Sequence, residues 1–258
     1  MSEHLQVAVE AAYAAGGLLM ANYGRELFVD LSEAHDIKLE LDRRAQLLIE
    51  RVLVGRYPNI SILGEEGVVG SGGDGDEWVI DPLDGTVNFF YGIPHFAVSI
   101  ALRCGGDIKV GVVYDPARDE LWTVDYEGPA LLNGREVRVS GRRELREAVI
   151  SVGVSKSVDS IDHGVPLLDR LIRRVKKCRM MGSAALDMAY VACGRLDAYM
   201  ERQISLWDIA AGKLLVERAG GVVEVGEGWT GGDKFSVMAS SGRVDFGVSV
   251  GNRSGSLG

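Results

Sequence analysis

Positive charge is what this sequence has least of: 28 lysines and arginines stand against 37 aspartates and glutamates, a formal net charge of −9 over 258 residues. A protein whose main partner is a nucleic acid backbone normally presents a basic face, so no nucleic acid partner is expected. The deficit does not exclude a small phosphorylated molecule, because bound cations reverse the field locally. Cysteine is also scarce. Cys104, Cys178 and Cys193 lie far apart in no metal-binding spacing, which fits a reducing compartment better than a disulfide framework. Long apolar runs are missing too. The uncharged stretch from Ala11 to Gly24 contains two adjacent glycines and Asn22, and falls short of the roughly 20 apolar residues that span a bilayer. No basic region followed by an apolar block opens the chain. The expectation is a cytoplasmic protein with no membrane partner. Histidine is rare as well, at four residues, and only His95 lies near the motif described below; it is read as structural.

What is present is enough apolar composition, 47%, for a sizeable core in one large domain or two closely packed halves. Apolar groups at helical spacing predict a helix over Leu5–Tyr23, stopped at Gly24, and another from Asp42 to Tyr57 with Leu47, Leu48, Val52 and Leu53 inward. Strands are expected over Ile60–Leu63 and Trp78–Ile80. The segment Gly70–Asp76 has turn composition and reads as an exposed, mobile loop. Three strand-like runs, Phe96–Arg103, Ile108–Tyr114 and Glu120–Asp125, have short connections that suggest an antiparallel meander. Asn133-Gly134 marks a tight turn. A charged stretch at Ser140–Glu147 marks the passage to a second half, so the expected division is 1–141 and 142–258. There the rhythm changes to a strand over Val149–Val154, helices over Pro166–Lys176 and Ala184–Cys193, a strand over Leu196–Met200 and a helix over Ile209–Ala219. That alternation fits a layered α/β half with some parallel pairing.

The chemistry concentrates at Asp81-Pro82-Leu83-Asp84-Gly85-Thr86. Two carboxylates three residues apart, with proline stiffening the chain between them and glycine releasing it, can point at one spot. They would repel unless a cation lay between them, and hard oxygen ligands suit Mg2+ or Mn2+ better than zinc. The small residues Gly85-Thr86-Val87-Asn88 can open a helix whose N–H groups form an anion site beside the metal. A cation site adjoining an anion site is what phosphate ester cleavage requires. On residue types alone the string also reads as a surface turn rich in Asp, Gly and Pro. Likewise Glu65-Glu66 reads as a solvated pair, and Asp208 before an apolar helix as an N-cap.

The longer string Trp78-Val-Ile-Asp-Pro-Leu-Asp-Gly-Thr-Val-Asn-Phe89 resembles the principal motif of the inositol monophosphatase family over all its positions. Gly64-Glu65-Glu66, Gly182-Ser183-Ala184-Ala185 and Trp207-Asp208-Ile209-Ala210-Ala211-Gly212 resemble the family's other landmarks, in the same order. The resemblance covers about residues 5–245. It implies a five-layered α-β-α-β-α sandwich, with an antiparallel sheet in the first half and a mixed sheet in the second. It also implies a Mg2+-dependent phosphatase working as a homodimer. One Mg2+ would be held by Glu65, Asp81 and the carbonyl of Leu83, and a second by Asp81, Asp84 and Asp208; a third is left open, and Mn2+ can substitute. Glu65 would orient the attacking water and Thr86 would support it, with Asp42 accepting a hydrogen bond from Thr86. Asp84, Gly85, Thr86, Gly182, Ser183, Ala184, Glu201 and Asp208 would line the substrate, with Glu201 accepting substrate hydroxyls. In the stretch Asp36–Asp42 both end aspartates are in register, but Leu39 stands where the family usually has threonine, and Leu31 has no matching lysine. Inositol monophosphate is the leading substrate, with fructose 1,6-bisphosphate as the alternative, alone or as a dual activity. 3′-Phosphoadenosine 5′-phosphate, histidinol phosphate and a non-catalytic metal- or phosphate-binding module follow.

Overall fold

The computed structural model describes residues 1–32, 37–70, 75–154, 158–226 and 234–248. Asp36, the centre of the Gly70–Asp76 loop and the tail after Gly251 lie outside the described residues. Helix α1 (Glu3–Asn22) begins where Ser2 Oγ accepts the Leu5 N–H, and the chain leaves it through Gly24 at φ 73°. Strands β1 (Val29–Ser32) and β2 (Ile37–Leu39) form a small antiparallel pair that leads into α2 (Glu40–Arg56). Then follow β3 (Ser61–Gly64), β4 (Gly67–Val69), β5 (Glu77–Asp84), the short α3 (Thr86–Phe90), β6 (Ala97–Cys104), β7 (Asp107–Asp115), β8 (Glu120–Asp125), β9 (Leu131–Leu132) and β10 (Arg135–Glu136). The second half holds β11 (Val149–Val152), α4 (Val158–Ile172), β12 (Lys177–Arg179), α5 (Ala184–Ala192), β13 (Ala198–Ser205), α6 (Leu206–Arg218), β14 (Val222–Gly226) and β15 (Lys234–Ser240).

The first sheet has eight strands in the order β10-β9-β8-β7-β6-β5-β3-β4, and the second has five in the order β12-β11-β13-β15-β14. The first is antiparallel except for β3 with β5. The second is mixed, with β11 parallel to both neighbours and β15 antiparallel to both of its own. Alternation along β5 shows how the layers stack. Trp78 and Ile80 point into a core shared with α1 and α2, while Val79 points into one shared with α5 and α6. Helix α6 packs on β5–β8 on one side and on β13–β15 on the other, and α4 lies against β12 and β13. The order is therefore helix, sheet, helix, sheet, helix.

The motif-bearing elements formed near their expected places, and three departures have physical reasons. Helix α4 starts at Val158 and runs through Pro166 instead of starting at it, because the pattern read proline as a first-turn residue. Strand β13 continues past Met200 to Ser205 through polar Glu201, Arg202 and Gln203, with a register irregularity after Arg202. On α2 the expected inward Leu47 is 59% exposed, whereas Asp42 and Gln46 are buried. Both polar side chains have backbone N–H partners inside, which pure hydrophobic spacing does not register. Strands β14 and β15, and the short β1, β2, β4 and β12, carried no sequence expectation.

Candidate metal and phosphate site

In a regular strand, residues three apart face opposite sides. Asp81 and Asp84 nevertheless converge, because β5 carries one extra residue here: Asp81 pairs with Ser99 and Asp84 with Ala97, leaving only Val98 opposite Pro82 and Leu83. A bulge of this kind re-aims side chains, and it suits Pro82, which has no N–H to give to a ladder. Asp81 Oδ1 accepts the Leu83 N–H at 3.0 Å and stiffens the bulge. Gly85 then turns at φ 92°, and a Cβ on it would lie 3.0 Å from His95 O and 3.1 Å from Gly182 O. Glycine is required there on both counts.

The other carboxylates arrive from separate elements. The parallel pairing of β3 with β5 sets Gly64 opposite Ile80, so Glu65 emerges beside Asp81. Gln46 Oε1 accepts the Glu66 N–H at 3.0 Å and secures that turn from α2. Asp208 stands in the first turn of α6, where it accepts the Ser205 N–H at 2.8 Å. The N-cap is therefore Ser205, not Asp208. Ser99, the cross-strand neighbour of Asp81, donates to Trp207 O at 3.3 Å and ties that first turn to β6. The result is that ligand oxygens of Asp81, Asp84 and Asp208 all lie within 4.8 Å of one another.

Such a cluster resists ionisation. Burial, followed by the charges of Glu65, Asp84 and Asp208, pushes Asp81 well above the usual carboxylate range. Burial and the Asp208 charge push Asp84 up to about 7, against the opposing pull of Ser183 and backbone N–H groups. Three hard oxygen donors so close, and so reluctant to ionise together, fit a divalent cation such as Mg2+.

Asp84 also ties β5 to the start of α5. Its Oδ2 accepts from Ser183 Oγ at 2.5 Å and from Ala185 N at 2.7 Å, at the start of α5. Asn88 Nδ2 reaches His95 O and Met181 O, both at 2.8 Å, and fixes α3 against the Gly182 turn. Glu201, on β13, is raised to about 8, first by burial and then by Asp208 and Asp84, while Lys234 acts the other way. His95 is buried against the Tyr190 ring, and burial with the nearby Arg118 holds it near 4. It is a neutral imidazole at neutral pH.

A model of the inositol monophosphatase family matches residues 1–246 of the chain. The chain belongs to this family. The inositol-1-monophosphatase of Rhizobium meliloti is 44% identical over 222 residues, covering 84% of this chain and 83% of the relative. The Nus factor SuhB of Pseudomonas aeruginosa is 42% identical over 243 residues, covering 91% and 89%. The solved structure of the extragenic suppressor protein suhB from Bartonella henselae superposes with a TM-score of 0.86 at 38% identity, over 93% of this chain and 95% of that one. Family and relatives indicate a phosphatase, and the family is in general Mg2+-dependent.

One expected contact is not made. The Thr86 hydroxyl donates to Leu83 O at 3.0 Å and not to Asp42. A hydroxyl has one proton to give, and the carbonyl three residues back takes it. Asp42 is buried, and its Oδ2 accepts the Leu39 N–H at 2.8 Å as it starts α2. Several residues of the site carried no sequence expectation: Gln46, Gly153, Asp187, Tyr199 and Lys234. Asp187 is the most surprising, a carboxyl 2% exposed on the inner face of α5. Its Oδ2 accepts from Ser151 Oγ at 2.6 Å, Oδ1 has no hydrogen bond, and burial raises it well above the usual range. Its position four residues after Ser183 was the available signal. Among the described residues no helix is long and apolar enough to cross a membrane.

Proposed function

We propose that this chain is a Mg2+-dependent phosphoric monoester hydrolase acting on small phosphorylated polyols, with inositol monophosphate as the leading substrate. The observation that carries the reading is the convergence of Asp81, Asp84 and Asp208 within 4.8 Å, beside Glu65 and across from Glu201. Glu65, Asp81 and the Leu83 carbonyl would hold one Mg2+, and Asp81, Asp84 and Asp208 would hold a second. Mg2+ bound there supplies charge neutralisation for the ester and a lowered pKa for the attacking water.

The protein groups do the rest. Thr86 gives its proton to Leu83 O, so its oxygen is available to accept from the attacking water. Glu65 orients that water from the turn after β3. The Leu83 carbonyl has a second lone pair, so the Thr86 hydrogen bond and a cation are compatible there. Gly85, Gly182, Ser183 and Ala184 frame the phosphate with small residues, and Ser183 holds Asp84 in place. Glu201 faces the remainder of the substrate, where a charged acceptor strengthens a hydroxyl hydrogen bond. Asp42 acts by fixing the start of α2.

One observation favours fructose 1,6-bisphosphate as the second reading. Lys234 bears on Glu201 and hydrogen-bonds Ser205 Oγ, so a cation stands near Glu201 that could serve a second phosphate. The deciding experiment is phosphate release from inositol 1-phosphate, fructose 1,6-bisphosphate and 3′-phosphoadenosine 5′-phosphate, with and without Mg2+. Release from none of them overturns the enzyme reading and leaves a non-catalytic metal- or phosphate-binding role. Release unaffected by Asp84→Asn overturns the proposed site.

A further inference from the structure

Gly153 follows directly on β11, and its N–H donates to Met200 O at 2.8 Å, next to Glu201. Its backbone does not lie in the left-handed region, so conformation alone does not demand glycine here. Space does. A Cβ on Gly153 would lie 1.8 Å from Glu201 Oε2 and 2.4 Å from its Cδ. The carboxylate therefore occupies the volume that any other residue at 153 would fill.

In that space the oxygen is held by a hydrogen bond, since the Tyr199 hydroxyl donates to Glu201 Oε2 at 2.5 Å. Tyr199 is fully buried and pairs across the sheet with Ser151, whose own hydroxyl is committed to Asp187. The tyrosine is thus anchored in the sheet and cannot follow Glu201 if the glutamate moves. Tyr199 thus holds one carboxylate oxygen in the space that Gly153 leaves open; Oε1 takes no hydrogen bond among the described residues. Glu201 is partly exposed despite this clamp, so the second oxygen has a way out to a ligand.

We infer that Gly153 and Tyr199 are positioning residues that set specificity for the hydroxyl-bearing part of the substrate, by seating Glu201 with one oxygen clamped and the other presented to a polyol. The inference rests on the phosphatase reading above. It assigns Gly153 a role that touches neither phosphate nor the Asp81 cluster. Because the clashing atoms are the far end of a flexible side chain, Gly153→Ala can fold by turning Glu201 away, which removes the presented carboxylate without removing the residue.

The test compares two substrates in Mg2+: inositol 1-phosphate and a simple aryl phosphate that has no polyol. Gly153→Ala should raise KM for inositol 1-phosphate by about tenfold or more, as expected for a lost hydrogen bond to a charged group, with kcat within about twofold. Both constants for the aryl phosphate should stay within about twofold, which also shows that the variant is folded. Tyr199→Phe should raise the same KM by a smaller factor. In a Glu201→Ala background Gly153→Ala should add nothing, because the pair acts as one unit. An unchanged KM for inositol 1-phosphate, an equal rise for both substrates, or full additivity with Glu201→Ala overturns the inference while the phosphatase reading stands. A wild-type protein that cleaves the aryl phosphate but no polyol phosphate overturns the inference together with the substrate reading. No release from either substrate overturns the phosphatase reading itself.

Discussion

Replacing Asp84 by asparagine should make the metal-free protein more stable and the enzyme inactive. Asparagine keeps an oxygen that can accept from Ser183 Oγ and Ala185 N, so the tie to the start of α5 survives. What it removes is a charge that the fold resists. The carboxyl is 9% exposed and raised from 3.8 to about 7 by burial and by Asp208. At about 1.36 kcal/mol per pKa unit, ionising it in the folded chain costs about 4 kcal/mol more than in the unfolded chain.

The sign follows from linkage. A carboxyl whose folded pKa is raised burdens the fold little near its unfolded value. The burden grows as pH rises from about 4 and is complete above about 7. Metal-free Asp84→Asn should therefore exceed wild type by about 2–4 kcal/mol near pH 8 and by under about 1 kcal/mol near pH 4.5. The range stops at the ceiling because Asp81 and Asp208 share the same repulsion. Urea denaturation in the presence of a chelator measures this directly. Adding Mg2+ to about a hundred times its dissociation constant should stabilise wild type by about 2.7 kcal/mol and the variant by much less. Phosphate release should fall by roughly a hundredfold or more. A metal-free variant no more stable than wild type near pH 8, or a gain independent of pH, would refute the view that the site is held against its own charge.

Two further outcomes follow from other contacts. Gln46→Leu removes the acceptor of the Glu66 N–H from the turn that carries Glu65; kcat should fall by about tenfold with KM little changed, whereas a KM effect alone would contradict the positioning role. Asp197 is fully buried and accepts from Arg142 Nε and Val149 N at 2.8 and 2.7 Å. Asp197→Ala should cost about 2–3 kcal/mol in urea denaturation, since it takes the acceptor from both Val149 N and Arg142 Nε, while Arg142 Nη2 keeps its bond to Gly194 O; a loss under about 1 kcal/mol would show that water replaces the aspartate.

The parts of the fold that could be read in the sequence are those where one local rule dominates. Asn133 and Gly134 adopt φ values of 48° and 76° and join β9 to β10 as an Asn-Gly turn should. The meander β6–β8 follows from alternating apolar runs with short turns. Where side chains serve the site, the local rule gives way. Hydrophobic spacing turned Leu47 inward, but α2 is rotated so that Gln46 can hold the Glu65 turn and Asp42 can start the helix. The apolar pattern ends at Met200, but β13 continues through the polar Glu201, Arg202 and Gln203 to Ser205 and brings Glu201 beside Gly153. The motif string points to Asp81 and Asp84. The bulge that lets Asp81 and Asp84 face the same way depends on pairing with β6, which the string does not contain.

The gathered carboxylates share one structural device. Asp81 accepts the Leu83 N–H in the bulge, Asp84 the Ala185 N–H at the start of α5, Asp208 the Ser205 N–H at the start of α6, and Asp42 the Leu39 N–H at the start of α2. Each thus satisfies a backbone donor that would otherwise need another partner. This explains how an acidic chain can fold with mutually repelling groups in one place: the repulsion is opposed at each residue by a hydrogen bond that also begins a helix or fixes a turn. Moving Asp84 or Asp208 would break a hydrogen bond at the start of a helix, so the fold itself holds these two carboxylates in place. An anionic ester would then be drawn to a site whose own charge is negative, because cations held there would reverse the field over a few ångströms. Net charge over the whole chain says little about what such a site binds; the placement of a few backbone N–H groups says more.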